Sequence, residues 1–118
     1  MKKKALKSKK IHVKDIEWLI ELLTDKEYEI QHGTDSHGIT LKDNKKMHVK
    51  LSSLNLPLLR HELFHVYSSS CCIDSTNNIE AEDMEEISAE IIAYHLEDID
   101  KKAKELLDFF KGAKNAKQ

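Results

Sequence analysis

The amino-acid sequence predicts an α+β fold with an N-terminal helix, a small antiparallel three-stranded sheet and further helices that carry polar faces. The prediction depends on apolar residues that recur at helical spacing towards both ends of the chain and alternate with polar residues in its middle. A length of 118 residues, with 40% hydrophobic and 34% charged residues, fits one globular domain. We expect a basic disordered arm at 1–10, the single domain at 11–112 and a flexible tail at 113–118.

The predicted arm and the first helix differ in composition. Residues 1–10 include six lysines but no acidic residue, aromatic residue or arginine, which is typical of a solvated arm and argues against nucleic-acid binding. The first helix is predicted over about residues 13–24, because its apolar residues follow the i, i+3, i+4, i+7 spacing of one helical face. These residues are Ile16, Leu19, Ile20 and Leu23.

Three short segments in the middle of the chain show the alternation that is typical of strands. Turn-forming residues separate these segments, which are 28–32, 39–42 and 47–51. In the third segment Met47 and Val49 share one face, which leaves His48 on the polar face as an expected surface imidazole. Together the segments predict an antiparallel meander.

Longer helices are predicted after the sheet. Asn55 can cap the first of them and Pro57 is tolerated in its first turn, so this helix is placed at about residues 56–68. A second helix is predicted at about 79–96, followed by a final helix that ends near Gly112. The helix at 56–68 should turn three residues with helical spacing towards the core, namely Leu59, Leu63 and Val66.

The helix at 56–68 contains His61-Glu62-Leu63-Phe64-His65, which has the pattern H-E-x-x-H. Residues four apart lie on the same helical face, so His61 and His65 can bind one metal ion. Glu62 lies where a carboxylate can act as a general base on a metal-bound water. The motif therefore predicts a zinc metallopeptidase, with both histidines as metal ligands and Glu62 as the catalytic residue.

A catalytic zinc ion usually takes a third protein ligand, and the helix at 79–96 offers several acidic side chains. Glu86 and Glu90 share one helical face, so one of them can bind the metal while the other accepts a hydrogen bond from a ligand histidine. The candidate third ligands are Glu82, Glu85, Glu86 and Glu90. We do not expect the other histidines to be ligands; these are His12, His32, His37, His48 and His95.

The segment Glu86-Ile87-Ser88-Ala89-Glu90-Ile91-Ile92-Ala93-Tyr94-His95-Leu96 resembles the helix E-x-x-A-N-x-F-A-x-x-L of the ImmA/IrrE family. Members of this family are small gluzincin-type zinc metallopeptidases that are associated with phages and mobile elements. The similarity covers about residues 46–96 and includes the H-E-x-x-H helix. The sequence departs from the family pattern at Phe64, where the family has glycine, and at Glu90, where it has asparagine.

The resemblance implies a zincin-like minimal domain in which His61, His65 and Glu86 hold Zn2+ and Glu90 hydrogen-bonds to a ligand histidine. It also implies the hydrolysis of a specific protein target, such as a repressor or another regulator, by a zinc-bound water that Glu62 activates. An edge strand near residues 47–51 is expected to align an extended substrate. The candidates for stabilising the oxyanion are Tyr67, Tyr94, His95 and His37.

The sequence also supports an alternative function: a catalytically inactive, zincin-like protein-binding module with a structural or vestigial metal site. Phe64 and the small size of the domain favour this alternative. No apolar segment is long enough for a membrane helix, and the lysine-rich start has no signal-peptide core. The adjacent Cys71 and Cys72 fit a reducing compartment. We therefore expect a cytoplasmic protein that acts on a protein or peptide, with an oligomeric state that the sequence leaves open.

Overall fold

The computed structural model describes residues 5–71 and 81–116 of the chain. The strands are β1 (Lys7–Val13), β2 (Ile16–Leu23), β3 (Gly38–Leu41) and β4 (Lys46–Lys50). The helices are α1 (Asp25–His32), α2 (Leu56–Cys71) and α3 (Ala81–Ala116), with a 3-10 turn at Leu51–Ser53 before α2. The fold is therefore α+β, but its first element is a strand and its sheet is mixed.

The four strands lie in the order β1-β2-β4-β3. β1 and β3 pair antiparallel with their neighbours, whereas β2 and β4 are parallel. The prediction of a three-stranded antiparallel sheet is wrong, because the chain passes through α1 and β3 between β2 and β4 and so returns in the same direction. The expected edge strand near residues 47–51 is also wrong: β4 is interior, and β3 lies at the edge.

The predicted N-terminal helix at 13–24 is wrong as well, since most of it is β2. The helical spacing of its apolar residues coincides with a second pattern of alternation, in which Trp18, Ile20 and Leu22 occupy every other position. These three side chains are fully buried, and Glu17 and Glu21 lie on the opposite face. Pairing with two neighbouring strands stabilises the period-two arrangement, and sequence periodicity alone does not report it.

Lys14 and Asp15 form the two-residue turn between β1 and β2. Their φ angles are 51° and 66°. Positive φ at both central residues is the geometry of a type I′ turn, whose twist matches that of antiparallel strands. Val13 and Ile16 pair directly across this turn.

Part of the predicted basic arm belongs to the sheet. Residues 7–10 are the first half of β1, and Lys7 Nζ donates a hydrogen bond of 2.8 Å to the carbonyl oxygen of Phe109. The same ammonium group lies 4.1 Å from the centroid of the Phe109 ring. Similarly, α3 continues to Ala116, so residues 113–116 of the predicted tail are helical. Residues 1–4 and 117–118 lie outside the described part of the chain.

The segment 28–32, which was predicted as a strand, is the second half of α1. Thr24 caps this helix, because its side chain accepts a hydrogen bond of 3.2 Å from the backbone N–H of Glu27. The segment Thr24 to Glu27 has the Thr-x-x-Glu pattern of a capping box, which is a local helix-start signal. Gly33 ends the helix with a φ of 84°. Tyr28 is fully buried and anchors α1 to the sheet.

The helix α2 confirms the predicted position of the motif-bearing helix, and its three expected core residues are fully buried. By contrast, the two helices predicted at 79–96 and before Gly112 are one helix, α3. The apolar stripe continues through the expected break, because Ile99 and Ala103 are buried on the same side as Leu106. Among the described residues, no helix combines the length and apolar composition needed to cross a membrane.

Candidate active site

The motif lies in the middle of α2, at positions 61–65 of a helix that spans Leu56–Cys71. Asn55 caps the helix, because its side-chain oxygen accepts a hydrogen bond of 2.8 Å from the backbone N–H of Leu58. The apolar residues of α2 pack into the core together with those of the sheet. The helix also contacts β3, so the motif lies near that strand. The cap that the sequence predicted thus begins the helix that carries the site.

His61 and His65 lie together on one side of α2, one turn apart. Their ring centroids are 4.9 Å apart and the rings meet edge to face at 78°. The side chain of His61 is 67% exposed, so the pair faces a volume that solvent or a ligand can enter. The structure therefore brings together the two histidines that the motif predicts as metal ligands.

The pKa of His65 is below its ordinary value. Although part of the side chain is open to solvent, burial of the rest removes water from the ring and disfavours the charged form. The positive charges of His61 and Lys42 lower this pKa further, against an opposing effect from Glu62. The neutral imidazole is the form that binds metal ions, so the surroundings of His65 favour it.

Glu62 has different surroundings from the two histidines. It is 5% exposed, and its Oε1 accepts a hydrogen bond of 2.8 Å from the Thr40 hydroxyl. Its other oxygen, Oε2, lies 4.0 Å from Nε2 of His61. One oxygen of the carboxylate is thus held by β3, while the other points towards the histidine pair.

An open cleft of about 330 Å³ lies beside these residues. Its walls come from β3 and α2, and its lining residues are Gly38, Ile39, Thr40, Lys42, Glu62 and His65. β3 is the edge strand of the described sheet, so its outer backbone groups have no partner strand there. The cleft joins a carboxylate, an imidazole and a strand edge in one place.

The structure does not bring Glu86 or Glu90 to the histidine pair. Both side chains are exposed on α3. The neighbour of His61, Arg60, forms an ion pair of 2.6 Å with Asp100. At 1.5 Å per residue, Glu86 is therefore about 20 Å further along α3 than the point that faces the motif. Among the side chains that the structure describes, no group of three potential ligands is close enough to hold a metal ion.

Several residues that were expected at the active site lie elsewhere in the fold or outside the part of the chain that the structure describes. The side chains of Glu82 and Glu85, two of the candidate third ligands, lie outside the described residues. So do the side chain of Cys71 and all of Cys72, which were not assigned to the site. None of the four candidates for stabilising the oxyanion lines the cleft. Tyr67 is buried and donates a hydrogen bond to Asp98. His95 packs against Tyr67, and Tyr94 is exposed on α3. His37 directly precedes Gly38 of the cleft, but its Nδ1 lies 2.7 Å from the Ser53 hydroxyl oxygen.

Four residues of the cleft were not predicted from the sequence: Gly38, Ile39, Thr40 and Lys42. Their involvement depends on β3 being the strand that lies next to α2, and no local pattern indicates which strand takes that place.

Comparisons with known proteins do not add to this picture. No protein-family model matches the chain, and no curated protein or solved structure is significantly similar to it.

Proposed function

We propose that this protein is a zinc-dependent metallopeptidase that hydrolyses a specific protein target, with Glu62 as the general base. The observation that carries this proposal is the buried Glu62 carboxylate beside two outward-facing imidazoles, of which His65 lines the same open cleft as Glu62. The Thr40 hydroxyl satisfies Oε1 of this buried carboxylate, while Oε2 is directed towards the ring of His61. Its position therefore supports a chemical role more than a structural one.

The donor set supports zinc as the metal. Imidazole nitrogen is a preferred zinc ligand, and His61 and His65 face the same volume from consecutive turns. The lowered pKa of His65 favours the neutral ring that zinc requires. The proposal of Glu86 as third ligand and Glu90 as its hydrogen-bonding neighbour depends on the family resemblance alone, because the described structure does not bring either residue to the pair.

The residues of the chain would act in the following order. An extended peptide pairs with the outer edge of β3, which brings its carbonyl group over the cleft. Glu62 takes a proton from a water molecule as the water oxygen bonds to the carbonyl carbon. Glu62 then gives this proton to the amide nitrogen as the C–N bond breaks. When bound, zinc would lower the pKa of water and polarise the carbonyl group.

The test combines metal content with peptide cleavage. We expect about one zinc per chain in the purified wild-type protein, as measured by elemental analysis after dialysis. The His65→Ala variant should lose this zinc, whereas His12→Ala, an exposed histidine of β1, is the matched control and should retain it. The zinc-loaded protein should cleave members of a proteome-derived peptide library, as detected by mass spectrometry.

Glu62→Gln separates catalysis from binding. This variant should retain zinc and the fold but lose cleavage by about 100-fold or more, because the amide cannot accept the proton from water. Glu86→Ala tests the third ligand, and retention of zinc there would move that role to another residue. Full cleavage by Glu62→Gln, or no zinc in the wild type after incubation with the metal, would contradict the proposed function.

A second function is a protein-binding module without catalysis. The observation that favours it is an exposed apolar pair on α3, where Ile92 is 56% and Leu96 is 51% exposed one helical turn apart. A partner that covers these residues would bury apolar surface without using the cleft. In that case Glu62→Gln would leave the biological effect unchanged, while Leu96→Asp would abolish it.

A further inference from the structure

We propose that Thr40 and Gly38 of the edge strand position the Glu62 carboxylate for proton transfer. The inference rests on the proposed function, since it assumes that Glu62 is the general base. Both residues act through Glu62 and need not touch the substrate. They are therefore positioning residues that the H-E-x-x-H motif does not contain.

The first observation is the hydrogen bond from Thr40 to Glu62. The Thr40 Oγ1 lies 2.8 Å from Oε1 of Glu62. The same hydroxyl lies 3.3 Å from the backbone carbonyl oxygen of Glu62. The hydroxyl has one hydrogen, so the shorter contact with the charged oxygen is the stronger bond. This bond engages Oε1 and leaves Oε2 to point towards His61 and the cleft.

The second observation is the close approach of Gly38 to Glu62. A Cβ atom at Gly38 would lie 3.1 Å from Cγ of Glu62 and 3.2 Å from Cδ1 of Leu58. Both distances are shorter than ordinary van der Waals contact, so any larger residue would displace one of these side chains. The absence of a side chain at Gly38 therefore provides the space in which the stem of Glu62 lies.

The register of the sheet explains why these two residues act together. Gly38 is opposite Val49 and Thr40 is opposite Met47, and both partners on β4 are fully buried. Side chains two apart on a strand point to the same face, so Gly38 and Thr40 both face α2. One residue provides space and the next provides a hydrogen-bond donor, and together they define where the carboxylate of Glu62 sits.

A general base works best when its accepting oxygen is already aimed at the water that it deprotonates. Without the Thr40 hydroxyl, a buried Oε1 would lose its donor and the carboxylate would turn towards solvent to regain one. Substrate binding along the strand backbone would not need this hydroxyl. The loss should therefore appear in kcat and leave KM nearly unchanged.

The experiment uses the zinc-loaded full chain and a peptide that the wild type cleaves in the library assay. Thr40→Val keeps the branched shape and removes the hydroxyl, and we expect kcat to fall about 10- to 100-fold at constant KM. Thr40→Ser retains a hydroxyl and should recover most of the rate. Gly38→Ala should lower kcat in the same way. Thr34→Val, an exposed threonine before β3, is the matched control and should behave as wild type.

A kinetic double-mutant cycle distinguishes positioning from a general structural effect. In the Glu62→Gln background, Thr40→Val should cause almost no further loss, because the group that it positions no longer accepts a proton. A structural effect would lower the rate by the same factor in both backgrounds and would overturn the inference. Should Thr40→Val fail to fold, Thr40→Ala replaces it in the cycle.

The outcomes also separate this inference from the proposed function. Equal kcat values for Thr40→Val and the wild type would overturn the positioning role and leave the peptidase proposal intact. A wild-type protein that binds zinc but cleaves no peptide would contradict the peptidase proposal, and the positioning role would fall with it. A loss with Thr40→Val, recovery with Thr40→Ser and no loss in the Glu62→Gln background would support both.

Discussion

Three ionisable side chains in about one turn of α2 differ in how far they are exposed to solvent. His61 and His65 face solvent, whereas Glu62 is buried beneath β3. The helical period causes this difference, because the two histidines are four positions apart and Glu62 lies about 100° round the helix from His61. The same spacing that allows a shared metal ion thus places the carboxylate against the sheet.

His48 shows how a residue with a correctly predicted strand position can have unexpected surroundings. The polar face of β4 was expected at the surface, but His48 is 6% exposed because α1 covers it. Its Nδ1 lies 2.8 Å from Nε2 of His32, and its Nε2 lies 2.9 Å from Oε1 of Glu21. Since the carboxylate only accepts, a His48 ring with one N–H donates to Glu21 and accepts from His32.

This chain of hydrogen bonds predicts a loss of stability at acidic pH. Burial lowers the pKa of His32 below 6.5, and the neighbouring His48 lowers it further. The unfolded chain therefore takes up the proton first, so the free energy of unfolding falls as pH decreases through 6.5 towards the folded pKa. Urea unfolding of the metal-free protein at about pH 7 and about pH 5.5 measures this loss.

The His32→Gln variant is the specific test, because glutamine does not titrate. It should lose less stability than the wild type between the two pH values, although His65 contributes a loss of the same sign. The charged groups that face the pair are Glu21 and Lys46, whose Nζ lies 3.9 Å from the Glu21 carboxylate. The Tyr28 ring contacts the His32 ring at a tilt of 58°, with the ring centroids 4.9 Å apart. An identical loss in the variant and the wild type would show that His32 is not responsible.

At the scale of elements, two segments were assigned to the opposite type of secondary structure. The segment that forms β2 fits both a helical and an alternating pattern, and only its pairing with β1 and β4 decides between them. For α1 the reverse holds: alternation at 28–32 suggested a strand, but the local cap at Thr24 starts a helix earlier. Here the capping box is the stronger signal, and it is visible in the sequence.

The turn between β1 and β2 leads to a stability prediction. Lys14 and Asp15 both have positive φ, a conformation that costs energy for residues with a side chain. Replacing this pair by Asn-Gly, as Lys14→Asn with Asp15→Gly, should raise the free energy of unfolding by about 1 kcal/mol. Urea unfolding monitored by circular dichroism provides the measurement.

Asn44→Gly is the matched control for the hairpin variant. Asn44 also lies in a turn between strands but has no positive φ. Glycine there adds conformational freedom to the unfolded chain without relieving strain, so stability should fall by roughly 0.5–1 kcal/mol. Stabilisation by both variants would indicate that glycine acts through something other than the positive φ angles.

At the scale of the whole molecule, the start and the end of the domain are joined. Lys7 of β1 contacts Phe109, which lies near the end of α3. The Lys7 ammonium group donates a hydrogen bond to the carbonyl oxygen of Phe109 and lies over the Phe109 ring. Trp18 of β2 is fully buried and donates a hydrogen bond of 2.8 Å to Ser70 of α2. Because these contacts join segments far apart in sequence, we expect the sheet and the two long helices to unfold as one cooperative unit.

Two substitutions on α3 test this cooperativity. Phe110→Ala removes a fully buried ring at the end of the helix that contacts β1, and should cost roughly 3–5 kcal/mol of unfolding free energy. Leu96→Ala removes a side chain that is 51% exposed on the same helix, and its cost should stay within about 0.5 kcal/mol. If both variants lost the same small amount, the end of α3 would not belong to the cooperative core.

The position of α2, its cap at Asn55 and its buried face were correctly predicted from the amino-acid sequence, which also identified His61, Glu62 and His65 as the candidate site. All of these depend on residues within a few helical turns, where spacing along the chain converts directly into position. The folded arrangement was needed to show that β3 is the edge strand, that Thr40 holds Glu62, and that Glu86 lies far along α3 from the histidines. These features depend on which distant segments pair and how far one helix extends past another, and neither local periodicity nor a motif specifies that.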